Sequence, residues 1–247
     1  MRRLDVQRGT CSLTADDAVR EQDYATLIRQ PTAIYENGKV AAIYDFMPSG
    51  AEDLRAALLQ APCAPSARTN GYKTVTANVG FMPPFQLYQR KLCATAGMHS
   101  RTPDAHTLVC SYAETVNDYY RQAAPDRHLQ HALNVAHIER SWRLEGTVFT
   151  SGIINRDYSI FYHRDRGNVP GCWSAMVAFK RGCDGGYLSL PEWNIGVEMA
   201  DHSLFLFDGR ILTHGVTPIY PQEPDWHRFT LVFYSLAEMW RCEPIGG

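Results

Sequence analysis

The pattern of apolar and polar positions divides the chain into two halves. From Gly146 to Trp240 short β-rich runs follow one another, GTVFTSGIIN, SIFYHRD, WSAMVAFK, GYLSLP, GVEMA, SLFLFDG, HGVTPI and RFTLVFYSLAEMW, with turns such as Asp184-Gly185-Gly186 and Asp208-Gly209 between them. Many short strands at near-regular intervals predict a jelly-roll sandwich or barrel. Upstream the pattern is mixed. In TAIYENGKVAAIYDFM, Asn37-Gly38 sits between two β-rich runs and predicts a tight hairpin. Ser49 and Glu52 read as a capping box ahead of DLRAALLQ, a helix that should stop before Pro62 and Pro65. Residues 11–30 read as a capped polar helix or an extended lead-in, with Ser12 or Thr14 as N-cap, and 61–100 as irregular structure with short strands. From Thr107, residues Leu108, Tyr112, Val116 and Tyr119/Tyr120 recur at helical spacing, and a second helix is expected from about Asp126 to Arg140 through Leu129, Leu133 and Ala136.

These elements predict an α+β fold: a double-stranded β-helix (jelly roll) core with N-terminal helices and a hairpin packed on it. Residues 1–106 are expected to form an irregular α/β extension. Residues 107–247 are expected to hold the supporting helices and the core, the whole folding as one cooperative unit.

Composition narrows the function. In 247 residues, 45% hydrophobic and 11% aromatic side chains are enough to fill a core, which excludes a disordered adaptor. Seven cysteines, an odd number with no CxxC pair, argue against a secreted disulfide framework and for a reducing cytoplasm. No apolar run approaches the roughly 20 residues needed to span a bilayer, so a soluble protein is expected. The net charge of −2 excludes a basic coat over the whole surface. It conceals an asymmetry, because residues 61–181 carry 14 basic against 8 acidic side chains and 182–247 carry 3 against 9. The basic stretch ends around the motif described next and suits a local, salt-sensitive grip on a polyanion.

His163-Arg164-Asp165 closes the run SIFYHRD, and on a strand positions i and i+2 face the same way, so an imidazole and a carboxylate could converge on one metal ion. With 9 His and 15 Asp in 247 residues, chance alone supplies about half an HxD, so the motif by itself is weak. His214, opening HGVTP after a further strand, completes two histidines and one carboxylate, the facial triad that holds non-haem Fe(II) and leaves three positions open. Arg228 then begins RFTLVFY, where Arg228, Thr230, Val232 and Tyr234 share one strand face. A guanidinium fork beside a hydroxyl suits bidentate capture of a carboxylate, here the distal carboxylate of 2-oxoglutarate. A structural salt bridge is the alternative for Arg228. The rival pair His137 and Glu139 falls in the expected helix, where i and i+2 point apart. His128, His131 and His137 read as helix-surface or packing residues; His99, His106, His202 and His227 have no convergent partner in the pattern.

The runs FYHRDRGN, DGGYLSLPEWNIGVEM, SLFLFDGRILTHGVTPI and RFTLVFYSL resemble the TET/JBP family of Fe(II)/2-oxoglutarate-dependent nucleobase dioxygenases, including its bacteriophage-type members, over about residues 145–242. The resemblance implies oxidation of a pyrimidine 5-methyl group to 5-hydroxymethyl, on 5-methylcytosine in the TET branch and on thymine in the JBP branch. It implies His163, Asp165 and His214 as iron ligands, and Arg228 with Thr230 at 2-oxoglutarate. It also implies Asn168 as a hydrogen-bonding partner of the flipped base and Tyr234 as its stacking plane. Where TET enzymes carry a base-reading histidine two residues beyond that tyrosine, this chain has Leu236, and the zinc-binding region of animal TET enzymes is missing.

The expected activity is hydroxylation of the 5-methyl group of a pyrimidine in DNA, 5-methylcytosine to 5-hydroxymethylcytosine favoured, with Fe(II), 2-oxoglutarate and dioxygen. The expected partner is DNA that is methylated or thymine-containing; no membrane or protein partner is implied, and the setting is the cytoplasm, that of the host if the chain is phage-encoded. Arg164 and Arg166 are candidates for phosphate contacts. Arg140, Arg143 and Arg156 are nominated for the 2-oxoglutarate carboxylate nearest the iron. Alternatives are thymine oxidation to 5-hydroxymethyluracil, a 2-oxoglutarate oxygenase acting on a small molecule or protein side chain, and a non-catalytic nucleic-acid-binding jelly roll.

Overall fold

Strand His227–Tyr234 (β16) sits near the middle of the molecule, and its alternation sorts the core into two. Phe229, Leu231 and Phe233 join one buried cluster, Val232 and Tyr234 the other. The computed structural model describes residues 1–13, 17–47, 52–67, 73–85 and 90–244. Thr14 and Ser49, singled out in the sequence, lie outside them.

Around β16 runs a large sheet. On one side it continues through Ser174–Arg181 (β9), Ser203–Phe207 (β13), Lys39–Phe46 (β4), Thr32–Glu36 (β3) and Arg2–Val6 (β1). On the other side come Ser151–Arg156 (β8), Lys73–Met82 (β6) and Ala64–Ala67 (β5), with Ala94–Thr95 (β7) paired to β6. A smaller sheet faces it, in the order Gly215–Val216 (β14), Leu188–Leu190 (β11), Ile195–Val197 (β12) and Thr26–Ile28 (β2). Cys183–Gly185 (β10) pairs with Ile219–Pro221 (β15) at one end. Two facing sheets of short, largely antiparallel strands form the expected jelly roll.

Phe205, Phe207, Met176 and Val232 of the large sheet meet Leu188, Leu190, Ile195 and Val197 of the small one and fill the space between sheets. The opposite face of the large sheet, with Leu204, Leu206, Val177 and Phe179, packs on the helices Glu52–Gln60 (α1), Gly97–Arg101 (α2) and Pro103–Ala123 (α3) through Leu54, Leu58, Met98, Val109 and Val116. Asn37 and Gly38 adopt positive φ of 52° and 76° between β3 and β4, as an Asn-Gly hairpin turn requires.

Several elements differ from expectation. Residues 11–30 hold no α-helix among the described positions, only a short 3-10 turn, Glu21–Asp23, and β2. Helix α3 begins at Pro103, ahead of Thr107, because proline's fixed φ and missing N–H suit a first turn. Helix Pro125–Asn134 (α4) ends six residues before Arg140. There Asn134 donates its side-chain amide to the Pro170 carbonyl (2.8 Å), tying the last turn to a neighbouring loop. His137 and Glu139 therefore lie in the turn after α4, and the helical argument against them does not apply; they are absent from the cluster with metal-ligand spacing. SIFYHRD is not a strand: Ile160 and Tyr162 bond irregularly, to Val216 and Asp17, and only His163 forms a bridge. GTVFTSGIIN becomes strand only at Ser151, and β16 stops at Tyr234 before a 3-10 turn, Ala237–Arg241.

Cys93 and Cys242 form a disulfide across 149 residues, whereas Cys11, Cys63, Cys110, Cys172 and Cys183 are free thiols. Spacing could not reveal this bond, because the fold brings the residue before β7 to the end of the last turn. Among the described residues no helix is long and apolar enough to cross a membrane.

His131 is not a helix-surface residue: it is fully buried. Ser235 spends its hydroxyl proton on the Val148 carbonyl, so His131 donates Nε2–H to Ser235 Oγ (2.9 Å) and its Nδ1 has no partner. Burial pushes this imidazole from 6.5 down to about 3, so only the unfolded chain takes up its proton between those values. Its contribution is intact above about pH 6.5 and is lost as pH falls, at ~1.4 kcal/mol per pH unit. Urea titrations of wild type and His131→Gln between about pH 6 and 5 should show the steeper acid loss in wild type only; parallel slopes would refute a neutral buried imidazole.

Candidate active site

His163 and His214 exchange both backbone hydrogen bonds, His163 N–H to the His214 carbonyl (2.9 Å) and His214 N–H to the His163 carbonyl (3.0 Å). This single bridge does the work assigned above to a strand, and it sets the two rings 4.3 Å apart. Each imidazole Nδ1 lies against the carbonyl two residues before it, Phe161 at 2.8 Å and Leu212 at 2.9 Å. A carbonyl can only accept, so Nδ1 carries the proton and each Nε2 keeps its lone pair. Those Nε2 atoms lie 3.7 Å from the two oxygens of Asp165. Asp165 is held by its own N–H to the Gly209 carbonyl (2.9 Å), and a Cβ at Gly209 would stand 2.5 Å from Asp165 Oδ2. One ligand atom from each of His163, Asp165 and His214 lies within 4.8 Å of the others.

Behind this group is a clamp that sequence reasoning missed. Glu192, buried in the 3-10 turn Pro191–Trp193, accepts hydrogen bonds from Thr213 N–H and Thr213 Oγ1 (both 3.1 Å) and from Arg164 Nη2. Arg164 Nε also donates to Thr213 Oγ1 (3.0 Å). Arg164 stands between His163 and Asp165, and Thr213 precedes His214, so one carboxylate ties both ligand-bearing loops together. Arg164, nominated for phosphate, is thus committed to Glu192, while Arg166 is exposed.

The three residues open into a cavity of about 240 Å³ between the sheets, whose walls include Asn155, Asn168, Thr230, Val232, Tyr234 and Leu236. Thr230 and Tyr234 thus line the same cavity as the triad, whereas Arg228, two residues before Thr230 on the same strand face, is only 1% exposed and does not itself line it. Arg228 donates Nη2–H to the Gly186 carbonyl (2.8 Å), its Nε has no partner, and burial pushes the guanidinium down to about 10. Among the described residues no salt bridge to Arg228 forms, contrary to the alternative reading. Gly186 (φ 66°) is needed because a Cβ would lie 2.5 Å from Arg228 Nε. Asn155, also missed, donates its amide to Thr230 Oγ1 (3.2 Å) from the adjacent strand β8. Asn168 is buried and donates to Ser174 Oγ (3.1 Å). Its backbone bridges to Leu236, which with Tyr234 and Gly167 also borders a second, more apolar pocket of about 300 Å³.

Arg140, Arg143 and Arg156 do not line the cavity. Arg143 donates to the Ile138 and Ala136 carbonyls, and Arg156 pairs with Asp157 and lies over Phe229 on the far face of the sheet. His202 and His227 do converge, but on Arg55 (3.2 and 3.1 Å).

A jelly roll with this triad on its cavity and a buried arginine on the strand that forms one cavity wall has the make-up of an Fe(II)/2-oxoglutarate oxygenase. The family model "Oxygenase domain of the 2OGFeDO superfamily" (Tet_JBP) matches residues 93–237, and the chain belongs to the TET/JBP family. It is similar to the bifunctional helicase and thymine dioxygenase JBP2 of Trypanosoma brucei brucei, 27% identical over 122 residues, 49% of this chain and 11% of that protein. It is also similar to thymine dioxygenase JBP1 of Leishmania infantum, 29% identical over 159 residues, 63% of this chain and 18% of that protein. The chain thus spans less than a fifth of the length of these curated relatives. In fold it is similar to NgTET1 in complex with 5mC DNA, TM-score 0.65 at 15% identity, covering 91% of this chain and 83% of that one. A 2OG-Fe(II) oxygenase family oxidoreductase from Burkholderia pseudomallei aligns with TM-score 0.51 at 12% identity, over 78% of this chain and 84% of that one.

Fe(II) and 2-oxoglutarate are the cofactors of this family, and the residues present fit both. Two unprotonated imidazole nitrogens and a carboxylate suit Fe(II). A buried guanidinium without an acidic partner suits a carboxylate. Glu192→Ala should loosen the clamp and weaken Fe(II) binding by about 10- to 100-fold, the usual effect of losing a group that orients metal ligands. Anaerobic equilibrium dialysis measures this, and wild-type affinity in the variant would remove Glu192 from the site.

Proposed function

We propose that this protein hydroxylates the 5-methyl group of a pyrimidine base in DNA, with 5-methylcytosine as the favoured substrate. The observation that carries this reading is a single cavity that combines the His163, Asp165 and His214 group with Thr230 on one wall and Asn168 and Tyr234 towards Leu236. The names of the relatives support the substrate class: thymine dioxygenases in sequence, and a TET structure with 5mC DNA in fold.

In this reading His163, Asp165 and His214 hold Fe(II), and Arg228 with Thr230 holds the far carboxylate of 2-oxoglutarate. Bound together, these cofactors supply the oxidative chemistry: dioxygen and 2-oxoglutarate yield succinate and CO2, and one oxygen atom enters the methyl C–H bond. The chain supplies geometry. A base methyl inside a duplex is out of reach, so the nucleotide must leave the stack and be held. Half-buried Tyr234 offers an aromatic plane, and the Asn168 amide a donor and an acceptor for a base edge. The apolar walls Ile153, Ile160, Val216 and Val232 exclude water around the reacting methyl. Arg166, exposed beside the mouth, remains the candidate for a backbone phosphate. A cytoplasmic setting belongs to the same proposal.

Thymine is the second reading, which the thymine dioxygenases among the relatives support and Leu236 permits. An apolar side chain at the cavity wall gives no hydrogen bond to distinguish the exocyclic amine of cytosine from the carbonyl of thymine. Incubation with Fe(II), 2-oxoglutarate and duplexes containing 5-methylcytosine or only unmodified bases, followed by nucleoside mass spectrometry, should yield 5-hydroxymethylcytosine. 5-Hydroxymethyluracil instead would establish thymine, and succinate without either product would refute a nucleobase substrate. Asp165→Ala should abolish turnover. Tyr234→Ala should cost about 1–3 kcal/mol of base binding and Asn168→Ala a comparable amount, with iron binding unchanged.

A further inference from the structure

Strand β9 places Lys180 directly opposite Arg228 of β16, so both side chains leave the sheet on the same face. Their heads are tied to consecutive carbonyls: Lys180 donates Nζ–H to Gly185 (3.0 Å) and Arg228 donates Nη2–H to Gly186 (2.8 Å). Both glycines have positive φ, 70° and 66°, which turns the carbonyls of this one dipeptide towards the two cations. Lys180 is half-buried over the Tyr187 ring, 5.5 Å from its centroid, and Arg228 is fully buried. Neither has a carboxylate partner among the described residues. Burial holds both groups below their ordinary pKa, and Arg228 adds to the lowering of Lys180.

Such a pair is a cost to the folded protein unless an anion offsets it. The neutral carbonyls satisfy hydrogen bonds without matching the charges, and the acidic groups nearby, Asp157 for Arg228 and Glu198 and Asp184 for Lys180, act on them without forming an ion pair among the described residues. We infer that Lys180 is a second cofactor-binding cation, sharing with Arg228 the distal carboxylate of a 2-oxo dicarboxylic acid. This rests on the reading of Arg228 given above and adds a residue to it. The paired charges then select a diacid: a 2-oxo monoacid reaches the iron-side end of the site equally well and leaves both cations unanswered.

Calorimetric titration of the anaerobic, Fe(II)-loaded protein with 2-oxoglutarate and with 2-oxobutanoate, which lacks the distal carboxylate, separates the roles without turnover. Lys180→Met should weaken 2-oxoglutarate by about 10- to 100-fold, the effect of losing one hydrogen bond between charged groups, and leave 2-oxobutanoate unchanged. Lys180→Arg, which keeps the charge, should recover most of the loss, and unaltered far-UV circular dichroism guards against misfolding. If Lys180→Met binds 2-oxoglutarate within twofold of wild type while Arg228→Met does not, Lys180 has no part in the site. If Arg228→Met also leaves the preference for the diacid intact, the cofactor pocket itself has been misplaced.

Discussion

The alternation of side chains along β16 is the constraint on which the rest of this molecule depends. One face of the strand sends Phe229, Leu231 and Phe233 towards the helices; the other sends Arg228, Thr230, Val232 and Tyr234 towards the cavity. A slip of one residue would exchange the two sets, driving a guanidinium into the helix-packed core and three apolar side chains into the site. Both neighbours, β8 and β9, pair with β16 over most of its length, so the register that stabilises the fold is the register that builds the site.

Charge is handled differently around the triad and around Arg228. Beside the triad, Glu192 is buried but paired, taking hydrogen bonds from Arg164 and Thr213. Its negative charge is spent on holding two loops, and His163, Asp165 and His214 inherit their positions from it. Arg228 has no salt-bridge partner among the described residues and one unmatched nitrogen. A protein free to optimise stability alone would pair or replace that guanidinium. Gly186 beside it leaves room for its side chain.

The segment matched by the family model, residues 93–237, does not close the large sheet by itself. Strand β13 is paired along its outer edge by β4, and β8 by β6, both from earlier in the chain. Strand β2 likewise covers β12 of the small sheet. The N-terminal segments thus cover edges that would otherwise expose a row of unpaired backbone groups.

Local pattern revealed the residues whose roles are set by nearby chain. The hairpin at Asn37-Gly38, the facing set on β16 and the HxD motif are all legible, since turn chemistry and the two-residue period of a strand are properties of short segments. The strand expected around the HxD does not form, because His163 is held by a single bridge to His214, a partner 51 positions away that no local pattern reveals. The end of α4 was misplaced for the same reason: Asn134 is recruited by Pro170. Glu192, Asn155, Lys180 and the Cys93–Cys242 bond carry no local signature at all. The sequence by itself determined the two-sheet architecture and pointed to the three side chains that converge with metal-ligand spacing; which carboxylate clamps the loops and which cation faces Arg228 was decided only by tertiary structure, because those pairings depend on strand neighbours that no periodicity encodes.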